Sequence, residues 1–594
     1  MDFSWEVRKI KKRCPDSSTL EIQRELRKNM RYEDAADRVV KSLNGTVPPA
    51  INNASDRWDP LPRISGLIRS CFSAELELEN IIQETQQGSS PDIIESRLAY
   101  YHSLDDENLR ERINADVKEY PAIFYIVEAD NTDLVRYWIK YGGDPNATCG
   151  TERFPLLAFA ILHGKSTRTN QQRTAMVELL LTLGASPYVI PHVFYTPFNK
   201  RLPASGSVIE ESTDITDERQ KWCVPRVEKE LVSALNLTQR YRLSQASKSE
   251  SISRRVRTVL SRNRAERVLG LPYTVVGQYH AVKALRRRLT AQLSLASNKP
   301  LVFMFAGPSG HGKTEIARSL GELISTDIKT IDCTTFKEEM QLFGPRPPFQ
   351  GFQSGSPLNN FLAANSGRCS IVFMDEFEKT TKDIHNTLLV PFDRGEYLDR
   401  RDSARIDCSR TIWILATNKF DDYILKFSEL HQEELFESQN EQKETKLLDE
   451  LNVELKKMCT SDFGAPLSGR VSEIIPFLPF TPEEQAVISH KGLMSLEETL
   501  RRPVVISPSG ESDNLVGNIR LDIVDDCALC SAIAQESYTP QLGARCILNA
   551  VTSTISTPLV SQYLEVDEDL CDGQPEIQFK VGITAEKKVE VWRM

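Results

Sequence analysis

A glycine-rich turn in the middle of the chain carries residue types that bind phosphate groups. It runs from Gly307 to Thr314 as GPSGHGKT and fits the phosphate-loop pattern G-x-x-x-x-G-K-[ST]. The glycines allow backbone N–H groups to curve around phosphates, Lys313 supplies a charge for the β and γ oxygens, and the Thr314 hydroxyl can bind magnesium. His311 lies at a variable position of the pattern, so we assign it no catalytic role. The pattern predicts a site for a nucleotide and Mg2+.

Two carboxylates follow a second apolar run and could complete a hydrolytic site. The segment SIVFMDEFEK has apolar residues that end at Asp375 and Glu376. We predict that Asp375 holds Mg2+ through a water molecule and that Glu376 activates the attacking water as a general base. A third run, TIWILATN, ends at Asn418, whose amide could orient that water. Paired acids at a strand end can also form a plain surface turn, but a preceding phosphate loop favours the hydrolytic interpretation.

Alternating strand and helix patterns must position these side chains. Leu301 to Phe305 are apolar and precede the turn, as expected of a buried parallel strand, and TEIARSLGELI continues with helical spacing. The order of loop, helix, strand and strand predicts a doubly wound parallel α/β sheet with its ligand at the C-terminal edge of the strands. A small α/β C-terminal domain is predicted to follow, and an all-α region to precede it.

Length and composition limit the classes of protein that the chain can be. A chain of 594 residues should form several domains, about three to five. No apolar run approaches the roughly 18 residues that cross a bilayer, so membrane insertion is not expected. The net charge of −10 disfavours a protein whose whole surface binds nucleic acid. Twelve scattered cysteines predict reduced thiols and favour the cytoplasm, with mitochondrial or nuclear location as alternatives.

An internal repeat lies ahead of these motifs, between about residues 92 and 190. Tyr120-Pro121 recurs as Phe154-Pro155, and each is followed by two short amphipathic helical patterns. The spacing is close to the roughly 33-residue period of ankyrin repeats, which the segment resembles, although the threonine and histidine of their first turn are missing. An unrelated array of helical hairpins is the alternative. Either interpretation predicts a binding role.

Between the repeat and the phosphate loop lies a polar and then basic stretch, which we interpret as a connector. Basic residues outnumber acidic ones from Arg240 to Arg267, and such runs are usually solvated helix faces. Contact with nucleic acid or an acidic partner is the alternative. The predicted division is a helical N-terminal region of unknown role (1–90), ankyrin-like repeats (91–199), the connector (200–267), a large ATPase domain (268–480) and a small C-terminal domain (481–594).

Taken together, the motifs resemble those of a known family. VVGQ at Val275 to Gln278, GPSGHGKTE, MDEFEK, FDRGEYLD and LATN are similar to the AAA+ domain of Clp unfoldases, in particular the second ATPase domain of ClpB-type disaggregases. The resemblance covers residues 270 to 594, and the region ahead of it is similar to that of the ankyrin-bearing ClpB-like proteins of mitochondria. It implies hydrolysis of ATP with Mg2+ by a homo-oligomeric ring, a hexamer.

The resemblance also implies roles for residues that spacing alone does not identify. Asn418 would be the first sensor, Arg470 the arginine finger that enters a neighbouring subunit's site, and Arg545, in the motif GAR, a second sensor for the γ-phosphate. Ordinary surface arginines are the alternative for both. The implied catalytic residues are Glu376, Asn418, Arg470 and Arg545. The implied nucleotide and metal contacts are Val275 and Val276 in the adenine pocket, Gly307, Pro308, Ser309, Gly310, His311, Gly312, Lys313, Thr314, Glu315 and Asp375, with Thr314 and Asp375 serving Mg2+.

A further implied element is a substrate loop between the phosphate loop and the acidic strand. In the family, a G-Y-V-G-Y loop grips polypeptide in the central channel, and Phe349-Gln350-Gly351-Phe352 takes that place here. The aromatic residue is kept as Phe349, whereas the preceding glycine is absent and the valine is a glutamine. An aromatic ring on a mobile loop suits sequence-tolerant contacts. The implied pore-loop residues are Phe349, Gly351 and Phe352, and simple packing within the loop is the alternative.

These features predict an ATP-dependent protein unfoldase or disaggregase-like chaperone that pulls polypeptide clients through the pore of a ring. The ankyrin-like region would bind an unidentified protein. The chain lacks the I-G-F/L tripeptide that docks a peptidase ring, so no peptidase partner is expected. Two alternatives stay open. One is an ankyrin interaction protein whose ATP binding gates assembly, and the other is a nucleic-acid-remodelling ATPase that uses the basic connector.

Overall fold

The computed structural model describes most of the chain beyond residue 60. The described ranges are 61–64, 76–163, 168–202, 217–249, 252–263, 265–295, 299–437, 441–502, 504–505, 512–513, 519–565, 577–584, 586 and 588–594. Most of the predicted N-terminal region and the polar part of the connector at 203–216 therefore lie outside the described residues. Within the ranges given, no helix is both long enough and apolar enough to cross a membrane.

The first described part of the chain is a stack of short helices. It begins with α1 (Leu78–Gln86), α2 (Pro91–Leu104) and α3 (Asp106–Arg112). Two similar units follow, each a short hairpin that leads into a helix pair. They are β1 (Asp116–Val117), β2 (Tyr120–Pro121), α4 (Ala122–Glu128) and α5 (Thr132–Lys140), then β3 (Thr148–Cys149), β4 (Phe154–Pro155), α6 (Leu156–Leu162) and α7 (Asn170–Leu183).

The two hairpin and helix-pair units also repeat their hydrogen bonds. The amide of Asn114 bridges to the turn after α5, and the amide of Asn146 bridges to the turn after α7. Within that turn, each amide donates to one backbone carbonyl and accepts from one backbone N–H. The partners are Gly142 and Asp144 for Asn114, and Gly184 and Ser186 for Asn146. The structure thus repeats at the positions where the sequence does. Assignment of the units to the ankyrin family stays a prediction.

The connector contains a helix that is buried. Two 3-10 turns (Pro187–Val189 and His192–Phe194) precede α8 (Pro225–Ala234), α9 (Leu237–Lys248) and α10 (Arg254–Arg262). In α9, Arg240 and Arg242 are 2% and 0% exposed, because the helix packs between α7 and a long helix of the C-terminal part. The interpretation of the basic run as a solvated face is therefore wrong for α9. It holds for α10, most of whose side chains are exposed or half-buried.

A parallel sheet forms the centre of the next part. Its elements are α11 (Leu271–Thr274), α12 (Tyr279–Leu295), β5 (Leu301–Ala306), α13 (Lys313–Leu323), β6 (Ile328–Asp332), α14 (Glu339–Phe343), α15 (Pro357–Ala364), β7 (Ser370–Asp375), α16 (Lys382–Arg394), β8 (Glu396–Leu398), β9 (Arg405–Asp407), β10 (Thr411–Thr417), α17 (Asp421–Leu430), α18 (Glu441–Phe463), α19 (Ala465–Ser468) and β11 (Glu473–Pro476). Within the described residues, five parallel strands run in the order β11-β5-β10-β7-β6. The predicted doubly wound α/β fold is confirmed.

Strand β5 is buried on both faces, which explains its continuous apolar sequence. Successive side chains of a strand point to opposite faces. One core contains Val302, Met304 and Ala306, and the opposite core contains Leu301, Phe303 and Phe305. Each large side chain contributes about 2 kcal/mol by leaving water. The strand therefore holds the glycine-rich turn firmly at the edge of the sheet.

The C-terminal part is a small α/β unit. It consists of α20 (Pro482–Arg501), β12 (Val504–Val505), β13 (Ser512–Asp513), β14 (Ile519–Ile523), α21 (Asp526–Ser537), α22 (Ala544–Val551), α23 (Thr557–Leu564), β15 (Ile577–Ile583) and β16 (Val589–Arg593). Strand β15 pairs parallel with β14 and antiparallel with β16. These helices and the three-stranded sheet confirm the predicted α/β fold of the C-terminal part.

Candidate nucleotide site

The glycine-rich turn joins β5 to α13 at the C-terminal edge of the sheet. Gly307, Gly310 and Gly312 have φ values of 146°, 75° and 90°, which residues with a side chain rarely adopt. A Cβ at Gly307 would lie 2.5 Å from the carbonyl oxygen of Phe477. Helix α13 begins at Lys313, so its free N–H groups and the positive end of its dipole meet the turn and favour an anion there.

Lys313 is buried inside the loop to which it belongs, with 7% of its surface exposed. Its Nζ donates to the carbonyl oxygens of Gly307 and Pro308, the latter at 3.0 Å, and to Oδ1 of Asn418 at 2.7 Å. Burial lowers the pKa of the ammonium group to about 8, although Asp421 opposes the shift. A compact cation held among oxygen acceptors can exchange those acceptors for phosphate oxygens.

Neighbouring strands bring the predicted segments to one edge. Strand β10 lies between β5 and β7, with Thr417 paired to Ala306. The N–H of Gly307 donates to the carbonyl of Thr417 at 3.3 Å. Asn418 therefore follows directly beside the loop and reaches Lys313. Because parallel strands end at the same edge, Asp375 at the end of β7 belongs to the same site.

The two acids occupy a sharp turn after β7. Glu376 has a φ of 50°, in the left-handed region, and its N–H donates to Oδ1 of Asp375 at 3.0 Å. Non-glycine residues held in this conformation cluster at functional sites. Both acids are half-buried, whereas Thr314 and Glu315 on the first turn of α13 are exposed. The Thr314 hydroxyl is thus open to a metal ion.

Two further carboxyl groups influence Lys313 that the sequence motifs did not single out. Glu378 and Asp421 both oppose the lowering of the Lys313 pKa, and each has one buried oxygen without a hydrogen-bond partner. Burial raises the pKa of Asp421 to about 6, although Lys313 is close. Unsatisfied carboxylate oxygens suit the water shell of Mg2+, so the residues fit this ion. Only their positions in the sequence could have indicated these two residues. Glu378 lies within DEFEK, and Asp421 closely follows Asn418.

The start of α22 packs directly on the phosphate loop. Arg545 donates from Nη1 to Oγ of Ser309 at 3.1 Å, and the N–H of Ala544 donates to the carbonyl of Gly310 at 2.9 Å. A Cβ on Gly543, whose φ is 56°, would lie 2.6 Å from that carbonyl oxygen. The close approach therefore requires glycine. It brings the predicted second sensor to the loop.

His311 joins the phosphate loop to the C-terminal part, a contact that no spacing rule indicates. Its ring stacks on Phe480 with centroids 5.0 Å apart, and burial lowers its pKa to about 4. Nδ1 lies 2.9 Å from the carbonyl of Ser309, so it must carry the proton and donate. The N–H of Phe480 donates to Oη of Tyr538 at 3.2 Å, which leaves the hydroxyl hydrogen for Nε2 of His311 at 3.3 Å.

The segment predicted to bind adenine lies between the large and small parts. Val275 is buried, and half-buried Val276 packs against apolar side chains of the C-terminal part. Gly277 has a φ of 67°, and its N–H donates to Oη of Tyr241 at 2.9 Å. A Cβ at Gly277 would lie 3.0 Å from the carboxylate of Glu484, whose pKa burial raises to about 7. Helices α9 and α20 thus enclose the segment.

The structure does not bring Arg470 to the phosphate loop of its own chain. Its guanidinium donates to the carbonyl of Leu389 at 3.1 Å and to that of Pro466 at 2.7 Å, and it pairs with Asp393 at 3.5 Å. These partners belong to α16 and α19. The Arg470 side chain is 29% exposed, so it lies at the surface of the subunit.

Phe349 lies apart from the nucleotide site, in the loop between α14 and α15. The side chain is 58% exposed. Gly351 has a φ of 79° and precedes the 3-10 turn Phe352–Ser354, in which Phe352 is half-buried. The exposure of Phe349 disfavours the alternative that it packs within its loop. Its ring is available for contact with another chain.

Comparisons with known proteins agree with these motifs. Residues 298–474 match the family model described as AAA domain (Cdc48 subfamily). The chain is similar to chaperone protein ClpB of Aquifex aeolicus, with 26% identity over 49% of this chain and 27% of that protein. It is similar to chaperone protein ClpB 1 of Nostoc sp., with 28% identity over 49% and 30%. It thus spans less than a third of the length of these two relatives. The solved Hsp104:casein complex of S. cerevisiae, in its extended conformation, shares 21% identity at a TM-score of 0.40, over 58% of this chain and 54% of that chain.

Proposed function

The chain belongs to the Clp/ClpB type of AAA+ ATPases, and from this premise we propose that it hydrolyses ATP in order to remodel other polypeptides. The observation that carries the proposal is the meeting of Lys313, Asn418 and the Asp375–Glu376 turn at one edge of the sheet. Crevices at this edge are where open α/β sheets bind ligands. The names of the similar ClpB proteins, which are chaperones, support the second half of the proposal.

Each side chain of the proposed site has a separate task. Lys313 exchanges its carbonyl partners for the β and γ oxygens of ATP. Thr314 and Asp375 would hold Mg2+, the latter through water, and the ion would supply positive charge at the phosphates. Glu376 takes a proton from the attacking water, which the amide of Asn418 orients. The chain's own residues thus bind the phosphates, orient the water and remove its proton.

In a homo-oligomer, we assign the two arginines of each subunit to two different nucleotide sites. Arg545 is within 3.1 Å of Ser309 Oγ and acts on the loop of its own chain. Arg470 bonds to α16 and α19 at the subunit surface, so its target is the site of a neighbouring subunit in a ring, which we take to be a hexamer. Arginines supplied in trans increase phosphoryl-transfer rates by about 10³ to 10⁵ in other nucleotidases.

The remaining parts of the proposal concern the polypeptide. The exposed ring of Phe349 contacts the client inside the ring, and Gly351 and Phe352 shape the loop that carries it. The N-terminal repeat units hold a protein partner that is not identified. We propose a cytoplasmic site of action without a peptidase partner. Neither assembly gating alone nor nucleic-acid remodelling draws support from the similar proteins, which are named as chaperones.

A first experiment traps the proposed ring. Glu376→Gln should slow hydrolysis by about 10² to 10⁴ because the general base is lost, while ATP stays bound. With ATP, size measurement should detect an oligomer with client attached. If no oligomer larger than a dimer forms, the trans role of Arg470 fails. Nucleotide-dependent assembly with negligible wild-type hydrolysis would favour the gating alternative, and stimulation by DNA or RNA would favour the nucleic-acid alternative.

A second experiment tests the pore loop through recovery of an aggregated reporter enzyme. Phe349→Ala should reduce ATP-dependent recovery about fivefold or more, because a central aromatic anchor is lost, while ATPase activity changes less than about twofold. Leu295→Ala is a matched control, since Leu295 is a similarly exposed apolar residue on α12 and 79% exposed. Wild-type hydrolysis without any reporter recovery would refute polypeptide translocation and leave the ATPase assignment standing.

A further inference from the structure

Helix α9 places two adjacent side chains against the backbone of the segment predicted to bind adenine. The helix lies between α7 of the second repeat unit and α20 of the C-terminal part. Its residues Tyr241 and Arg242 are 6% and 0% exposed. A fully buried arginine is rare unless fixed acceptors surround it, because desolvation of its charge is costly. The partners of Arg242 therefore indicate what it is there to hold.

Arg242 connects the repeat unit to the segment between α11 and α12. Its Nε donates to Oε1 of Glu178 on α7 at 2.8 Å. Its Nη1 donates to the carbonyl of Val275 at 2.6 Å and to that of Pro272 at 3.2 Å. The guanidinium is planar and rigid, so these directions are not independent. A shift of Glu178 must therefore shift the carbonyl of Val275 or break a bond.

Two neighbouring contacts fix the rest of the segment. The hydroxyl of Tyr241 accepts the N–H of Gly277 at 2.9 Å. From the other side, Nζ of Lys491 on α20 donates to the carbonyl of Thr274 at 3.0 Å. The backbone around Val275 and Val276 is thus held by side chains from both the N-terminal and C-terminal parts of the chain.

We propose that Arg242, oriented by Glu178, is a positioning residue for the base of the nucleotide, so that the N-terminal repeat units set the affinity of the ATPase for ATP. The inference rests on the proposed function, because it takes Val275 and Val276 as the contacts of adenine. Within the described part of the chain, Arg242 donates to Glu178, Gln245, Pro272 and Val275, and none of these belongs to the phosphate loop. It therefore acts on binding of the base and leaves the hydrolytic step alone.

The test compares ATP with a ligand that has phosphates but no base. Arg242→Met keeps an unbranched, flexible stem and removes the donors of the guanidinium. We expect the KM for ATP to rise about tenfold, as for loss of hydrogen bonds from a charged group, while kcat changes less than about twofold. The inhibition constant of magnesium tripolyphosphate should also change less than about twofold, because it does not contact the base segment. An equal weakening of ATP and tripolyphosphate, or an unchanged KM, would overturn the proposal.

Two further variants test the same positioning role if Arg242→Met does not fold. Glu178→Gln retains an oxygen acceptor but removes the charge that orients Arg242, so the KM for ATP should rise about threefold with kcat unchanged. Arg242→Lys should give an intermediate KM, since one ammonium cannot reach Glu178 and Val275 in the same geometry. Unchanged KM values in both variants would overturn the inference.

A control variant and the wild-type protein distinguish failure of this inference from failure of the proposed function. Arg255→Met on α10 removes an exposed basic residue of the same connector and should leave the KM for ATP unchanged. Wild-type protein that binds no ATP would overturn the proposed function and this inference together. Wild-type protein that binds and hydrolyses ATP, with no selective change in the Arg242 and Glu178 variants, would overturn the inference alone.

Discussion

The two ends of the candidate nucleotide site are built in different ways. The phosphate end consists of Gly307 to Thr314 and the acidic turn, and its main cation bonds to carbonyls of its own loop. The base end consists of Val275 to Gly277, and its contacts come from α9, 33 and 36 residues earlier in the chain, and from α20, 217 residues later. The glycine-rich turn itself is thus local in sequence, although Asn418, the acidic turn and α22 join it from distant segments. The base end has no such local core, because it forms only after three separate segments have packed together.

This difference indicates which parts of the protein can regulate each end of the nucleotide site. Lys313 bonds to carbonyls of its own loop and to Asn418, so we expect the phosphate end to respond less than the base end to movement of α9 and α20. A backbone segment held by side chains from the N-terminal and C-terminal parts responds to any movement of either. The phosphate end should therefore determine the rate of hydrolysis, and the base end should determine affinity. The following predictions test this division, beginning with the largest effect.

Replacement of Lys313 by Ala should separate the two ends. Hydrolysis should fall by about 10² to 10³, because a preorganised charge at the phosphates is lost. The affinity for adenosine, measured by calorimetry, should change less than about threefold. Lys456→Ala on α18, an exposed lysine, serves as the control. An equally large loss of adenosine affinity would show that the two ends are not independent.

Substitutions of His311 and Tyr538 test whether the two ends of the nucleotide site are structurally linked. Tyr538→Phe removes the hydroxyl that His311 and the N–H of Phe480 share, and it should lower kcat about fivefold, as expected for one buried hydrogen bond. His311→Ala should have a similar effect. Because both variants break the same link, the double variant should be little worse than either single one. Additive losses in a double-mutant cycle would contradict this link.

The smallest predicted effect concerns the charge of Glu484 at the base end. Burial raises its pKa to about 7 from the ordinary value of 4.5, so the folded protein binds more protons than the unfolded chain between these pH values. Stability must therefore fall as the pH rises through this window. Glu484→Gln removes this cost and preserves the capping pair with Thr481, since Gln also serves at that position.

The measurement for Glu484→Gln is the melting temperature at two pH values. At pH 8 the variant should melt about 2 to 4 °C above the wild type, and at pH 4.5 the two should agree within about 1 °C. The same gain at both pH values would mean that ionisation of Glu484 is not the cause. A lower melting temperature at pH 8 would mean that the carboxylate is needed in its charged form.

The sequence predicts the glycine-rich turn and the strand before it because each depends mainly on neighbours along the chain. The run LVFMF has no polar face, so only a strand buried on both sides explains it. The base end could not be predicted in the same way. Helices α9 and α10 both belong to the basic run of the connector, yet Arg242 is fully buried and Arg255 is exposed. Only the packing partners decide between these outcomes, and composition does not contain them.

Part of the acidic cluster was also missed for a physical reason. Glu378 and Asp421 become important through shared burial near Lys313, which depends on how the turns after β7 and β10 pack. Spacing rules indicate a carboxylate that ends a strand, as for Asp375, but not one that a turn folds back into the site. The trans role of Arg470 and the pore role of Phe349 stay predictions.

Because α9 is buried, the C-terminal part does not form an independent module. Leu237 and Tyr241 belong to the apolar core of the C-terminal part, and Arg240 bonds to the carbonyl of Phe194 and to Sγ of Cys527. A truncated chain that begins at residue 268 would lack these core side chains and expose the surface they cover. We expect such a fragment to aggregate. The repeat units and the C-terminal part thus share a core through α9, so we expect an exchange of the N-terminal part for another domain to succeed only if α9 is kept.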